Sequence, residues 1–174
     1  PSLLLYRGFQ GDSWTLEVRM GLFMGPTGGG RSFNLSLLFD ENPADFLRGP
    51  KNGVVFMGHR DDWTGERPST FSWQSYDDGR PVPAPDGITH SGNHDYRLRV
   101  TRLGREVTIE LSRDGEPYQE VGSHKFTPRV DQAIQFLAIT GSSFANFDSY
   151  ADIDYIRVTP TPRFSSAALG GGGR

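Results

Sequence analysis

The stretch Asp95 to Gly115, DYRLRVTRLGREVTIELSRDG, states its structure most plainly. Tyr96, Leu98 and Val100 alternate with Arg97, Arg99 and Thr101. Beyond Leu103-Gly104 the alternation resumes, with Val107, Ile109 and Leu111 set against Glu106, Thr108 and Glu110. A period of two on both sides of a glycine turn predicts two antiparallel strands with one apolar and one charged face. A lone hairpin is marginal in water, so its apolar side must lie on a second layer supplied by the rest of the chain. The expected fold class is all-β, a two-sheet antiparallel sandwich.

The same period recurs outward from this hairpin. Ser13 to Met24 sets Trp14, Leu16, Val18 and Met20 against Thr15, Glu17 and Arg19, with Gly21 marking a bulge or bend. Ser32 to Asp40 places Phe33, Leu35, Leu37 and Phe39 on one face. Leu3–Tyr6, Gly53–Arg60, Thr70–Asp77, Glu120–Phe126 and Ala151–Thr159 read as further strands, Glu120–Phe126 at an edge, and Ala133–Thr140 is apolar enough for a central strand. In ENPADFLRGP, Asn42 can cap, Pro43 suits the first helical position and Gly49 the stop, which predicts one helical turn. Asp78 to Asn93 is rich in proline and glycine and is expected to hold no regular element. The total is about ten strands with almost no helix and no internal repeat.

Composition bounds the function. The 174 residues suit one domain with a real core, and 22 glycines, 12 prolines and 12% aromatic residues suit strands joined by turns. A net charge of -3, with no basic run threaded by aromatics, argues against a nucleic-acid partner. No apolar run approaches the roughly 18 residues of a membrane helix, so membrane insertion is not expected. The lack of cysteine excludes disulfides and thiolate metal sites. Residues 1–161 are assigned to the sandwich and 162–174, ending SSAALGGGGR, to a flexible tail or linker of a longer polypeptide. The loop Gly25 to Gly30 lacks the Lys-Ser/Thr of a phosphate cradle and reads as a hairpin loop.

Certain residues carry a resemblance. The run His94, Tyr96, alternating strand, turn, strand, Asp114-Gly115 resembles the central hairpin of concanavalin A-like jelly-roll domains, and Asp154 to Val158 is similar to their closing strand. The opening strand from Trp14 to Val18 is similar as well. The resemblance implies two sheets with carbohydrate bound on the concave face or its rim, in a secreted or cell-surface setting. It also implies that His94 caps the hairpin. His90 and His94 have a metal-like spacing only on a helix, which Gly92 discourages. Retaining glucanases of this fold carry Glu-x-Asp-x-x-Glu, two carboxylates about 5 Å apart on one face. That motif does not occur here.

Sugar recognition needs flat aromatic faces and planar polar side chains. His59, Arg60, Asp62, Trp63, Gln74 and Tyr76 offer both within one stretch, and Arg97 and Arg99 project from the charged face of the central hairpin. Phe71 and Trp73 share a strand face and are expected in the core, whereas Trp63 stands in a polar loop. Arg97 and Arg99 have two readings, pairing with Glu106 to Glu110 or contact with ligand. The resemblance also implies a structural calcium held through the closing-strand aspartate, which Asp154 matches; Asp152 and Asp148 are its neighbours, and a solvated acidic loop is the other reading. The expected function is a non-catalytic carbohydrate-binding domain of a larger secreted or surface protein, its partner a polysaccharide or glycan. Two alternatives stand beside it: a metal-assisted sugar-cleaving enzyme using His59, Asp61, Asp62 and Glu66, and a structural or adhesive domain of an extracellular assembly.

Overall fold

The computed structural model describes residues 5–23, 31–39, 52–60, 69–82, 88–90, 94–127, 134–143 and 150–161. These form strands β1 (Leu5–Gln10), β2 (Ser13–Phe23), β3 (Arg31–Phe39), β4 (Gly53–Arg60), β5 (Ser69–Asp77), β6 (Arg80–Val82), β7 (Ile88–His90), β8 (His94–Leu103), β9 (Glu106–Arg113), β10 (Gln119–Lys125), β11 (Ile134–Ser143) and β12 (Tyr150–Pro160). No helix occurs among the described residues. One sheet runs β1-β11-β3-β4-β5-β6, with β7 also on β5, and the other runs β10-β9-β8-β2-β12. All pairings are antiparallel. The chain changes sheet between β1 and β2, β2 and β3, β7 and β8, β10 and β11, and β11 and β12. This is a two-sheet jelly-roll sandwich of the concanavalin A-like type.

One expectation is corrected. Asp78 to Asn93 does hold regular structure, the short strands β6 and β7, both paired to β5. Asp78 and Gly79, at φ 51° and 76°, make the tight turn from β5 to β6, since a two-residue hairpin loop of this hand needs positive φ at both positions. Pro81 is tolerated because β6 ends its sheet in the strand order, where a missing N–H breaks no ladder. The predicted helical turn around Asn42 to Gly49 and the Gly25 to Gly30 loop lie outside the described residues.

Alternation decides what each sheet buries. From the five-stranded sheet come Trp14, Leu16, Val18 and Met20 of β2, Tyr96, Leu98 and Val100 of β8, and Val107, Ile109 and Leu111 of β9. They meet Leu35, Leu37 and Phe39 of β3, Val54 and Phe56 of β4, and Trp73 of β5. Trp73 is 8% exposed, in the core as its parity predicts. Its indole lies so close to β10 that a Cβ built on Gly122 would clash with the six-membered ring. A bulge between Glu120 and Gly122 sets that glycine in place.

Polar side chains also join the layers. Asp77, ending β5, accepts from the Thr127 amide at 3.1 Å and hydroxyl at 3.0 Å and sits 3.3 Å from His124 Nε2 of β10. The His124 ring stands edge-on to Phe126 with centroids 4.6 Å apart, and Phe126 stands edge-on to Phe39 at 5.0 Å. Arg102 occupies an inward position of β8 and is buried, its Nε donating to Gly104 O at 2.7 Å and its guanidinium 4.9 Å from the Phe39 ring centre.

Replacing Gly122 with alanine forces Trp73 out of its seat. The expected loss is about 1–3 kcal/mol, read as a lower urea midpoint at unchanged m-value. Gly21→Ala is the control: its Cβ would meet Asp152 Cβ at 3.9 Å, an ordinary contact, so stability should change by no more than about 1 kcal/mol.

Candidate functional site

The outer face of the five-stranded sheet is a grid of charged residues in register. Glu17, Arg99 and Glu110 stand side by side on β2, β8 and β9. Arg99 Nε donates to Glu17 at 3.2 Å, its Nη1 lies 3.5 Å from Glu110, and its guanidinium stacks 3.7 Å from the Tyr118 ring centre. Burial, then the nearby Glu17 carboxylate, raises the Tyr118 phenol above its ordinary value. Thus Arg99 follows the pairing reading, its partner being Glu110 together with Glu17.

One register step along, Arg19 is held from two sides. Its Nε and Nη2 donate to Asp95 at 3.1 and 2.9 Å, and its Nη1 donates to Asp154 at 3.1 Å. This bears on the calcium expectation. Asp154 occupies the bulge between Ile153 and Tyr155 and already faces a cation, Asp152 is exposed opposite Gly21, and Asp148 lies outside the described residues. Among the described residues no group of three or more His, Cys, Asp or Glu side chains is placed to hold a metal ion.

His94 sits where β8 begins, beside the end of β9. Its Nδ1 is 2.7 Å from Asp114 Oδ2, while Asp114 Oδ1 accepts from the Asp95 amide at 3.0 Å. Asp114 takes a positive φ of 50° and Gly115 follows at 83°, so the Asp-Gly pair turns the chain from β9 toward β10. The amide of Asp95, then the His94 ring, holds the Asp114 carboxyl below the usual carboxylate range. The His94 ring also stands edge-on to Tyr96, centroids 6.1 Å apart, and burial pushes the Tyr96 phenol upward. These residues tie the two ends of the hairpin together.

On the seven-stranded sheet the parity opposite Trp73 carries Ser72, Gln74 and Tyr76, all half-buried. Gln74 Nε2 donates to Ser75 O at 2.9 Å and also to Val82 O, which pins β6 against β5. Gln74 lies in register with Val55, and Val55 with Ser36. Ser36 is fully buried, and among the described residues its hydroxyl has no hydrogen-bond partner. His59 and Arg60 close β4, His59 in register with Ser32 and Thr70, and Arg60 with Arg31. Asp62 and Trp63, with Asp61 and Glu66, lie outside the described residues.

The candidate ligand residues therefore do not form one group. Gln74 and Tyr76 face outward from one sheet, with His59 and Arg60 on the neighbouring strand, whereas Arg97 and Arg99 face outward from the other. One pocket among the described residues, about 120 Å3, is lined by Leu111, Arg113, Glu116, Pro117, Gln119 and Val121. It is well below the roughly 300–1,000 Å3 of a small-molecule site, so an open face is the more capable surface. What sequence reading missed is a row of outward positions, Ser112, Arg97, Arg19 and Tyr155, on β9, β8, β2 and β12. Each was recognisable by parity, but their adjacency depends on strand order.

No family model matches the sequence, and no curated protein matches it. Solved structures match through the fold. The CBM2 module of Lactobacillus casei BL23 phage J-1 evolved Dit has a TM-score of 0.61 and 14% identity over 88% of this chain, which spans 64% of that one. A tetrameric galectin from the ball sponge Cinachyrella sp. has a TM-score of 0.53 and 16% identity, covering 91% of this chain and 99% of its own. The VIP36 exoplasmic/lumenal domain in its Ca2+/Man2-bound form has a TM-score of 0.57 and 16% identity, covering 95% and 84%. At such identities the likeness establishes the concanavalin A-like jelly-roll fold.

The latch at His94 makes stability depend on pH. Because Asp114 is held below its ordinary range, its contribution is complete at pH values above that range and is lost as pH falls through the depressed folded value. The melting-temperature gap between wild type and Asp114→Ala should be widest near neutrality and close in strong acid. A gap that stays constant with pH would contradict the ionised latch.

Proposed function

We propose that this chain is a non-catalytic carbohydrate-binding domain of a larger secreted or cell-surface protein. The observation that carries the reading is the match to a galectin across 91% of this chain and 99% of that one. A phage CBM2 module and a Man2-bound lumenal domain share the fold, which adds support. Fold alone does not fix a site, so the chemistry of the faces must supply the rest.

Retaining glycoside cleavage needs one carboxylate free as nucleophile and another carrying the proton for the leaving group. On the five-stranded sheet Glu17, Glu110, Asp95 and Asp154 each lie against an arginine. Each of these carboxylates is engaged by a guanidinium rather than standing free opposite a second carboxylate, which supports a binding role for this face.

The binding surface we assign to the neutral part of a saccharide is the outer face of the seven-stranded sheet at β4 and β5. Tyr76 and Gln74 lie there, His59 and Arg60 end β4, and the connection to β5 carries Asp62 and Trp63. Aromatic rings supply the apolar contact to a pyranose, and amide, imidazole and guanidinium groups answer its hydroxyls.

Affinity electrophoresis over a panel of polysaccharides tests this. At least one should retard the protein, and Trp63→Ala and Tyr76→Ala should each weaken retention by about tenfold while leaving the melting temperature near wild type. Passage through every gel unretarded would overturn the binding claim, and reducing ends released from the retained polymer would overturn the non-catalytic one.

A further inference from the structure

Across the middle of the five-stranded sheet, Arg19 and Arg97 stand directly opposite each other on β2 and β8. Like charges in that position destabilise a sheet unless something answers both. Arg19 is answered twice, by Asp95 and Asp154. Arg97 is not: among the described residues it has neither an ion pair nor a hydrogen bond, and its Nε is shut off from solvent without an acceptor. A buried guanidinium N–H left without a partner is costly, which marks this position off from Arg19 and Arg99, both held by carboxylates.

Its surroundings have a shape and a chemistry. Tyr155 lies beside Arg19 on β12, with Arg157 5.2 Å from its ring centre. At the other end of the row Tyr118 precedes β10, its ring stacked on Arg99. Tyr155 thus stands two strands from Arg97 in the same row, and Tyr118 lies over Arg99, the next outward residue of β8. On this face Glu17, Glu110, Asp95 and Asp154 are matched by Arg19, Arg97, Arg99 and Arg157, so no broad positive field draws a polyanion. A single carboxylate delivered at short range, on a ring that can rest against a tyrosine, meets the one guanidinium of the row that, among the described residues, no acid answers.

We propose that Arg97, bracketed by Tyr118 and Tyr155, is a second binding site that takes the carboxylate of a uronic acid residue. The terminal nitrogens of the guanidinium offer the planar fork that receives a carboxylate in two parallel hydrogen bonds. The tyrosine rings offer the flat surface for the sugar's apolar face. This site lies on the opposite side of the sandwich from Gln74 and Tyr76 and does not depend on them.

The test is an NMR titration of the full chain with methyl glucuronide, methyl glucoside, acetate and glucose 6-sulfate. Methyl glucuronide should shift the Arg97 Nε–H and the ring signals of Tyr118 and Tyr155, and methyl glucoside and acetate should leave them in place. Arg97→Ala should weaken the glucuronide response by about tenfold or more, and Arg97→Lys, which keeps the charge and loses the fork, should weaken it too. The glucuronide response should persist in Trp63→Ala and Tyr76→Ala, so loss of one site is told apart from loss of the other. The proposal is overturned by no glucuronide shift, by equal shifts with acetate or methyl glucoside, or by a stronger response to the sulfate ester than to the uronide.

Discussion

The contact between the inner faces of the two sheets is the constraint on which the rest of this molecule depends. Neither sheet can keep its row of Leu, Val, Ile and aromatic side chains in water, and each is the only partner of matching size among the described elements. At Gly122 the absence of one methyl group lets the Trp73 indole from one layer rest on the backbone of the other. The Asp77 cluster closes the same margin with hydrogen bonds, so apolar and polar contacts reinforce each other there. Once the inner faces are committed, strict alternation sends every second residue outward. On the five-stranded sheet that outer face carries the charged grid, whereas on the seven-stranded sheet Ser36 and Val55 are buried on the outward side as well.

Much of this was legible in the chain. The β8–β9 hairpin, the parity of Trp14 to Met20 and the inward Trp73 all follow from period two and need no tertiary knowledge. What alternation cannot supply is the identity of the layer. Gln74 and Arg97 both read as outward, yet they point away from opposite sides of the sandwich, because outward is defined only relative to a strand's own sheet. The same limit hid the Arg19–Arg97 juxtaposition, which joins residues far apart in sequence through the pairing of β2 with β8. Arg102 shows a second limit. Parity places it inward, but charge argues for exposure, and the carbonyl of Gly104 and the ring of Phe39 settle the contest in favour of burial. In β6 and β7, proline content suggested a structureless loop, whereas the edge of a sheet accepts proline at little cost.

The residues that carried the family resemblance turn out to serve the scaffold. His94 and Asp114 bind each other, Tyr96 is buried beneath them, and Gly115 turns the chain; none is free to address a ligand. Asp154, the matching aspartate of the closing strand, is tied to Arg19. The signature thus reports how the hairpin is closed. Contacts of this kind can be kept while the rest of the sequence changes, in keeping with solved structures that share the fold at only 14–16% identity.

Native-state amide hydrogen exchange on the full chain addresses the central claim most directly. If the inter-sheet contact holds the molecule together, the slowest amides will lie in both layers at once, on β2, β8, β3 and β4, and will exchange together at the free energy of global unfolding, with β6, β10 and β12 faster. Protection confined to one sheet, with the other exchanging freely while the first stays intact, would contradict the account.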